Sequence, residues 1–195
     1  MAKRLFDIIS SSIGLLCLSP IFVIMAVWIK LDSRGPVFYR QTRVGRHGRD
    51  FRIFKFRSMR VGSDKGRQIT VGERDPRITR SGYFIRRYKI DELPQLINVF
   101  LGDMSIVGPR PEVRKYVDLY SEEQRRVFQV RPGITDLASI KYRNENELLS
   151  QVEDPDSYYI DVIMPDKLAI NLAYINNQSF MGDIKIIFNT LFKIF

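Results

Sequence analysis

The 195-residue sequence predicts an α+β protein, in which a re-entrant N-terminal membrane helix is joined to a small, mostly helical domain with short strands and amphipathic interfacial helices. Three observations support this prediction. A long apolar run opens the chain, short apolar segments alternate with glycine-rich turns, and an apolar stripe at helical spacing ends it. We place the membrane helix in residues 1–33 and the second domain in residues 34–195, with an amphipathic helix at about 179–195.

Composition limits the classes of protein to consider. Hydrophobic residues make up 45% and charged residues 27% of the chain, so it is not a disordered protein. With a single cysteine and a single histidine, a disulfide framework and a Cys/His metal cluster are excluded. Any metal is therefore expected to be a hard, carboxylate-bound ion such as Mg²⁺. The net charge of +9 indicates an anionic partner, and nucleic acid, an acidic membrane and a phosphorylated substrate all stay open.

The N-terminal apolar segment covers residues 5–31, and residues 13–29 carry no charge, which is close to the length that crosses a bilayer. It lacks an Ala-x-Ala cleavage site, which argues against a signal peptide. Ser19-Pro20 lies in its middle, where proline kinks a helix. Basic residues flank both ends, as cytoplasmic flanks do. We predict a kinked helix that enters one leaflet and returns, with a simple spanning helix as the alternative.

Residues 34–60 contain nine Lys or Arg residues and one acid. A basic residue stands at every third position from 40 to 55, and two glycines bracket a turn, which predicts two short strands or extended segments. A solvated basic face is the simplest interpretation. Beside a membrane segment, however, a surface for anionic headgroups or substrate phosphates is favoured.

The second half of the chain has weaker patterns. Residues 104–107 are typical of a short strand, and residues 121–124 have the spacing of a capping box. Residues 144–157 are acidic and predict a loop. Near the C-terminus, an apolar stripe predicts a helix that packs on the core or lies on the membrane. Its members are Ile184, Ile187, Phe188, Leu191 and Phe195.

The acidic pair Asp91-Glu92 is the leading candidate for chemistry. Pro94 is tolerated only in a first helical turn, so a helix is expected to begin near Asp91. Free N–H groups there favour anions, keep a carboxylate ionised and can bind phosphate, although ordinary capping is an alternative. Arg86 lies upstream, and Arg110 lies in a proline-stiffened turn downstream. Carboxylates, arginines and a metal are the groups that phosphoryl transfer needs.

Six short segments of the chain, each present once, together carry a resemblance to a known family. They are Lys3-Arg4-Leu5-Phe6-Asp7, Gly35-Pro36-Val37-Phe38-Tyr39-Arg40-Gln41, Phe54-Lys55-Phe56-Arg57-Ser58-Met59, Ile90-Asp91-Glu92-Leu93-Pro94-Gln95-Leu96, Val107-Gly108-Pro109-Arg110-Pro111 and Arg131-Pro132-Gly133-Ile134-Thr135. By these segments the chain resembles the bacterial sugar transferases, in particular the small monotopic phosphoglycosyl transferases, over residues 3–143. We expect the minimal catalytic form, because the extra spanning helices of larger members are absent from this sequence.

The resemblance implies a bacterial enzyme on the cytoplasmic face of the inner membrane that moves a sugar-1-phosphate from a UDP-sugar to polyprenol phosphate. Asp91 would attack the sugar-bearing phosphate, expel UMP and form a phosphosugar-aspartyl intermediate. Glu92 would hold Mg²⁺, Arg86 and Arg110 would bind phosphate, and the membrane helix would be broken at Ser19-Pro20. Further substrate contacts are assigned to Lys55, Arg57, Arg77 and Arg131.

One segment departs from the family pattern. Where the family commonly has Gly, an apolar residue, Ala and Gln, this chain reads Asp136-Leu137-Ala138-Ser139. Substrate detail is therefore not carried over from other members. The sugar, the polyprenol, the glycan (an exopolysaccharide or lipopolysaccharide) and the oligomeric state stay open.

Two other hypotheses compete with the enzyme. The basic composition is typical of a membrane-tethered nucleic-acid-binding protein, and the two apolar helices are compatible with a non-catalytic scaffold. Neither explains the acidic pair at Asp91. We therefore expect a UDP-sugar, polyprenol phosphate and an anionic phospholipid membrane as partners, and no nucleic acid.

The re-entrant course is testable with one substitution. Replacing Pro20 with Leu is expected to permit a straight, spanning helix, because the backbone donor returns and the cause of the kink is removed. The measurement is the accessibility of a cysteine placed at position 2 from each side of the membrane. If position 2 of the otherwise native chain is already outside, the re-entrant prediction is wrong.

Overall fold

A computed structural model describes residues 2–63 and 75–194. The α-helices are α1 Ala2–Asp32, α2 Arg80–Arg87, α3 Gln95–Leu101, α4 Arg114–Val117, α5 Leu137–Lys141, α6 Glu145–Ser150, α7 Pro155–Tyr158, α8 Met164–Asn176 and α9 Phe180–Ile194. The strands are β1 Phe38–Val44, β2 Asp50–Phe56, β3 Ser105–Val107 and β4 Gly133–Thr135. The predicted combination of helices and short strands is confirmed, and 61% of the residues are helical. The glycine-rich composition of residues 61–82 predicts a loop; residues 64–74 of this segment lie outside the described residues, and residues 80–82 belong to α2. The division at residue 33 stays a prediction.

The N-terminal helix α1 lies lengthwise against the rest of the described chain. Its covered residues recur every three or four positions, and the most deeply buried are Asp7, Ser11, Met25 and Ile29. The opposite face exposes Leu5, Ile9, Ile13, Leu16, Val23, Ile24, Val27 and Leu31. By length and composition, α1 is able to cross a membrane.

The helix α1 continues through Ser19 and Pro20. Pro20 has no N–H to donate to the carbonyl of Leu16 one turn earlier. The Ser19 hydroxyl donates to that carbonyl instead, at 2.8 Å, which explains how the helix continues. The break implied at this pair is therefore wrong for the described helix, whereas the kink and the re-entrant course stay predictions.

The strands β1 and β2 form an antiparallel hairpin, as predicted from the glycine-bracketed turn. Side chains alternate between the two faces of a strand, so basic residues at every third position cannot share one face. Arg40 lies over the Phe54 ring at 4.2 Å, whereas the Arg43 guanidinium binds the Glu112 carboxylate at 2.9 Å. The basic residues of this run therefore divide between the two faces of the hairpin, and a surface for anionic headgroups or substrate phosphates stays a prediction.

The strands β3 and β4 pair in parallel, and this pairing holds the turn after β3 against the start of β4. Val107 pairs with Thr135, which confirms the predicted strand. Gly108 and Gly133 lie so close that a Cβ on Gly133 would stand 2.1 Å from the Gly108 nitrogen. The Gly133 N–H also donates to the Pro109 carbonyl at 2.9 Å. Two glycines thus allow the backbone contact that holds this turn.

The C-terminal third is helical where a loop was predicted. Helices α6 and α7 occupy much of 144–157, so that prediction is wrong. Asp154 caps α7 by accepting from the N–H groups of Asp156 and Ser157, and Pro155 occupies the first turn. The predicted C-terminal helix is confirmed as α9, in which Asp183 and Ile186 are buried. Of the predicted stripe, Ile184 and Ile187 are partly buried, Phe188 and Leu191 are exposed, and position 195 lies outside the described residues.

The glycine contact yields a stability prediction. Gly133→Ala is expected to lower the free energy of unfolding by about 1–3 kcal/mol, because the new methyl group meets backbone that cannot move aside cheaply. Gly182→Ala is the matched control, since its Cβ would meet only the Ser179 hydroxyl, which can rotate. Thermal unfolding in detergent, followed by circular dichroism, measures both. An equal melting temperature for the two variants would contradict the described packing.

Candidate active site

Asp91 and Glu92 lie in a short 3₁₀ turn, Ile90–Glu92. Helix α3 begins only at Gln95, so the predicted helix start at Asp91 is wrong by about one turn. The turn is entered through Lys89, whose backbone is left-handed at φ 56° and ψ 20°. A lysine in this region stores about 1–3 kcal/mol of strain, and such strain clusters at functional sites.

A cavity of about 1030 Å³ opens beside this turn. Its described basic lining residues are Arg40, Arg43, Lys55, Arg57, Arg60, Arg77, Arg86, Lys89, Arg110, Arg114, Lys115, Arg143, Lys167 and Lys193. The acidic ones are Asp91, Glu92 and Glu145. A wall so rich in cations around two adjacent carboxylates suits a large, multiply charged anion.

Glu92 is held by two cations from different parts of the chain. The Lys55 ammonium, from β2, donates to Oε1 at 2.9 Å. The Arg110 guanidinium donates to both carboxylate oxygens, with Nη1 3.1 Å from Oε2 and Nη2 contacting Oε1. Burial of Glu92 raises its pKa, but Arg110 and Lys55 outweigh this effect and hold the pKa well below the ordinary value. Glu92 is therefore a stable carboxylate.

Asp91 has the opposite environment. It is buried, and its Oδ1 has no hydrogen-bond partner in the described part of the chain. Burial raises the pKa of Asp91 and Glu92 adds to this, against the attraction of Lys55, Arg86 and Lys89. The helix start expected at this carboxylate is therefore not what governs its charge, because burial is the largest influence on the pKa of Asp91. An unpartnered, desolvated carboxylate oxygen is a basic and nucleophilic group.

The structure brings five predicted site residues together: Asp91, Glu92, Lys55, Arg86 and Arg110. Burial lowers the pKa of the Lys55 ammonium, with Glu92 opposing this effect. Contact with Glu92 raises the pKa of the Arg110 guanidinium. The ion pairs therefore place charge at the cavity wall in a fixed geometry.

The other three predicted basic residues differ in position. Arg77 lines the cavity and binds the Asp75 carboxylate with two bonds, of 2.9 and 2.6 Å. Arg57 also lines it, but its guanidinium donates to the carbonyls of Ser33 and Arg34 at 2.6 and 2.7 Å, just after α1. The Nε of Arg131 donates to the Gly102 carbonyl at 2.8 Å, and Arg131 is outside the cavity lining. Their predicted phosphate contacts stay predictions.

Sequence reasoning missed three residues that line the cavity, Arg143, Glu145 and Lys167. Glu145 begins α6, where a loop was predicted, Arg143 lies just before it, and Lys167 lies in α8, for which no element was predicted. No local pattern indicated them, because tertiary packing brings α6 and α8 to the site.

The departure at 136–139 has a structural explanation. Asp136 caps α5 by accepting from the backbone N–H of Ser139 at 2.7 Å and its hydroxyl at 2.8 Å. This carboxylate also acts electrostatically on Arg110. The Asp-x-x-Ser spacing of a helix cap could have indicated this role from sequence.

Adjacent carboxylates are donors that a hard ion such as Mg²⁺ takes, and a bound magnesium ion stays a prediction here. Among the described residues, no cluster of three or more His, Cys, Asp or Glu side chains could form a metal cage. Mg²⁺ is commonly bound by one or two carboxylates together with substrate phosphates and waters. The free Oδ1 of Asp91 beside the ionised Glu92 provides such a donor set, in which Glu92 is shared with Lys55 and Arg110.

The site is a cationic cavity around an acidic pair, and it lies in a chain with a helix long enough to cross a membrane. The chain belongs to the bacterial sugar transferase family, which it matches over residues 1–195. It is 40% identical over 199 residues to the UDP-glucose:undecaprenyl-phosphate glucose-1-phosphate transferase of Klebsiella pneumoniae, covering 98% of this chain and 39% of that protein. It is 38% identical over 192 residues to the uncharacterized sugar transferase EpsL of Bacillus subtilis, covering 98% and 86%. The exopolysaccharide production protein ExoY of Rhizobium meliloti is 34% identical over 206 residues, covering 98% and 84%. The chain thus spans about two fifths of the length of its glucose-1-phosphate transferase relatives.

The environment of Asp91 predicts its titration. NMR of labelled carboxyl carbons, assigned with Asp91→Asn, is expected to show a pKa above the ordinary aspartate value. Lys55→Met is expected to raise it further, because the ammonium favours the charged carboxylate. Protonated Asp91 then favours the fold at low pH, and this contribution is lost as the pH rises through the folded-state pKa. Arg131→Gln, outside the cavity, is the control. An unchanged or lower pKa in Lys55→Met would contradict the described contacts.

Proposed function

We propose that this protein transfers a sugar-1-phosphate from a UDP-sugar to polyprenol phosphate and releases UMP, through a covalent intermediate on Asp91. The single observation that supports this most strongly is the unpartnered, buried Oδ1 of Asp91 in a cavity lined by lysines and arginines. The name of the Klebsiella relative specifies a UDP-sugar donor and undecaprenyl phosphate as acceptor, and these are the substrate classes that we propose here.

In the first step one phosphorus–oxygen bond forms and one breaks. An oxygen of ionised Asp91 attacks the phosphorus that bears the sugar, and the bond from this phosphorus to the bridging oxygen breaks. The electron pair leaves with UMP, and the sugar phosphate is joined to Asp91 as an acyl phosphate. Arg86 and Arg110 neutralise the phosphate oxygens, which would otherwise repel the carboxylate.

In the second step the lipid substrate is the nucleophile and the Asp91 carboxylate is the leaving group. A phosphate oxygen of polyprenol phosphate attacks the same phosphorus and expels the Asp91 carboxylate, which restores the free enzyme. Covalent catalysis lets a soluble and a membrane-bound substrate react in turn at one site. Glu92 and the substrate phosphates would hold Mg²⁺, which supplies further charge neutralisation when it is bound.

Contacts at both ends of α1 support a monotopic, re-entrant attachment. At its start, Arg4 donates to the carbonyls of Val99 and Phe100 at 2.6 and 2.9 Å. At its end, Asp32 accepts from the N–H and hydroxyl of Ser81 at 2.9 and 2.8 Å. A helix whose two ends are held by the same domain places both ends on one side of a membrane. We propose that this side is the cytoplasmic face of a bacterial inner membrane, against anionic phospholipid.

The proposed product is a sugar linked to a lipid by a diphosphate, which is the starting unit of a surface glycan. The name of the relative ExoY refers to exopolysaccharide production, and this supports an exopolysaccharide product over a lipopolysaccharide.

The decisive test is Asp91→Asn. This substitution keeps the side-chain shape but removes the nucleophile, so UMP release from UDP-sugars is expected to fall to background while folding and membrane binding persist. Intact-mass measurement after incubation with UDP-sugar alone is expected to show a phosphosugar adduct on the native chain and none on the variant. Glu92→Gln is expected to be severely impaired, with a changed Mg²⁺ dependence.

Asp118→Asn is the matched control, because Asp118 is exposed and lies outside the cavity lining. It is expected to retain native activity and the adduct. If Asp91→Asn turned over at a substantial fraction of the native rate, the covalent mechanism would be wrong. If the native chain released no UMP from any UDP-sugar but bound polyanions in a salt-sensitive manner, a nucleic-acid-binding function would be favoured instead.

A further inference from the structure

One side chain in the first turn of α1 contacts three other elements. The Lys3 ammonium donates to the Val107 carbonyl at 2.9 Å, the Tyr174 hydroxyl at 3.1 Å and Asp183 Oδ2 at 2.5 Å. The Tyr174 hydroxyl donates to the other oxygen of Asp183 at 2.6 Å. Lys3 therefore joins the start of α1 to the end of β3 and to the pair α8–α9.

Anchoring of α1 alone would explain the bond between Lys3 and Asp183. The carboxylate of Asp183 is only 7% exposed, and a buried carboxylate needs a cation and hydrogen-bond donors. The bond to Val107 is not required for this purpose. It holds a backbone carbonyl, and the N–H of the same peptide unit, on Gly108, donates to the Thr135 carbonyl at 3.1 Å. Both polar atoms of that peptide plane are thus fixed.

The peptide plane after Val107 leads directly into the turn that carries Arg110. Alternate carbonyls of this turn are held by different donors. Lys3 binds the carbonyl of Val107, the Gly133 N–H binds that of Pro109 at 2.9 Å, and Arg43 binds that of Pro111 at 3.1 Å. Of these donors, only Lys3 belongs to α1. Asp7 of the same helix accepts from the Ile106 N–H at 3.0 Å, but this contact lies in β3, before the turn, so Lys3 is the α1 side chain that holds the peptide plane leading into the turn.

We propose that Lys3 is a positioning residue for Arg110, through which the docking of α1 sets the geometry of the guanidinium at Glu92. The inference rests on the proposed function, in which Arg110 binds substrate phosphate. Lys3 does not touch the substrate. It acts through the backbone from Val107 to Arg110, and a small displacement of a substrate-binding group is enough to reduce turnover strongly.

The experiment uses the full chain in nanodiscs of phosphatidylethanolamine and phosphatidylglycerol. Lys3→Met is expected to lower kcat/KM for UMP release about 10-fold in the native background. In an Arg110→Lys background the same change is expected to have an effect of about 2-fold or less, because the two residues act in series. An equal effect in both backgrounds would overturn the proposal.

Arg4→Met is the matched control. Arg4 is the neighbouring cation on α1 and also donates to backbone carbonyls, but those belong to Val99 and Phe100 at the end of α3. It is expected to lower the melting temperature while kcat/KM stays within about 2-fold of native. If Arg4→Met reproduces the kinetic loss of Lys3→Met, the role of Lys3 is structural anchoring and the proposal is wrong.

A second readout does not depend on activity. Hydrogen exchange of a peptide covering residues 105–112 is expected to be faster in Lys3→Met than in native chain or Arg4→Met, and Lys3→Arg is expected to restore protection. Native exchange in Lys3→Met would overturn the proposal. If Lys3→Met does not fold, Lys3→Gln, a polar side chain that is shorter than lysine and carries no charge for Asp183, takes its place with the same expectations. Absence of UMP release by the native chain would refute the proposed function, while hydrogen exchange would still decide the link to the turn.

Discussion

The ionised carboxylate of Glu92 is shared between Lys55 of the hairpin and Arg110 of the turn after β3, and the site depends on this sharing. It joins two segments that are far apart in sequence, and removing either cation would leave the half-buried Glu92 carboxylate with less compensation for its lost hydration. The same contacts also determine the hydrogen bonding and the electrostatic environment of Asp91. Since Glu92 takes both cations as hydrogen-bond partners, the neighbouring carboxylate keeps an oxygen free while it still feels the positive charge of Lys55.

This arrangement divides two tasks between adjacent acids. Glu92 is the stable anion, whose pKa is depressed, and Asp91 is the less stable one, whose pKa burial raises. Adjacent groups whose environments move their pKa values in opposite directions are typical of catalytic pairs. The left-handed backbone at Lys89 adds strain immediately before the pair, and the glycine contact between Gly108 and Gly133 holds the turn that carries Arg110.

Local patterns in the sequence predicted much of the fold and the centre of the site. The hairpin followed from its glycines, and the capping box was confirmed by reciprocal bonds between Ser121 and Gln124. What failed depends on tertiary packing. The sequence does not show that Arg57 is occupied by carbonyls after α1, that α6 and α8 approach the cavity, or that burial outweighs local helix charge at Asp91. A left-handed lysine at position 89 has no local cause either, because lysine is not a residue that favours this conformation.

The hydrogen bond that Ser19 donates within α1 bears on how deep in a bilayer a bend at the Ser19-Pro20 pair could lie. Water or headgroups normally satisfy the carbonyl that a proline leaves free, and hydrocarbon offers neither. Here the hydroxyl of Ser19 satisfies the Leu16 carbonyl from within the helix itself. The pair is therefore self-sufficient in hydrogen bonding, and its depth in a lipid leaflet is not limited by access to polar solvent.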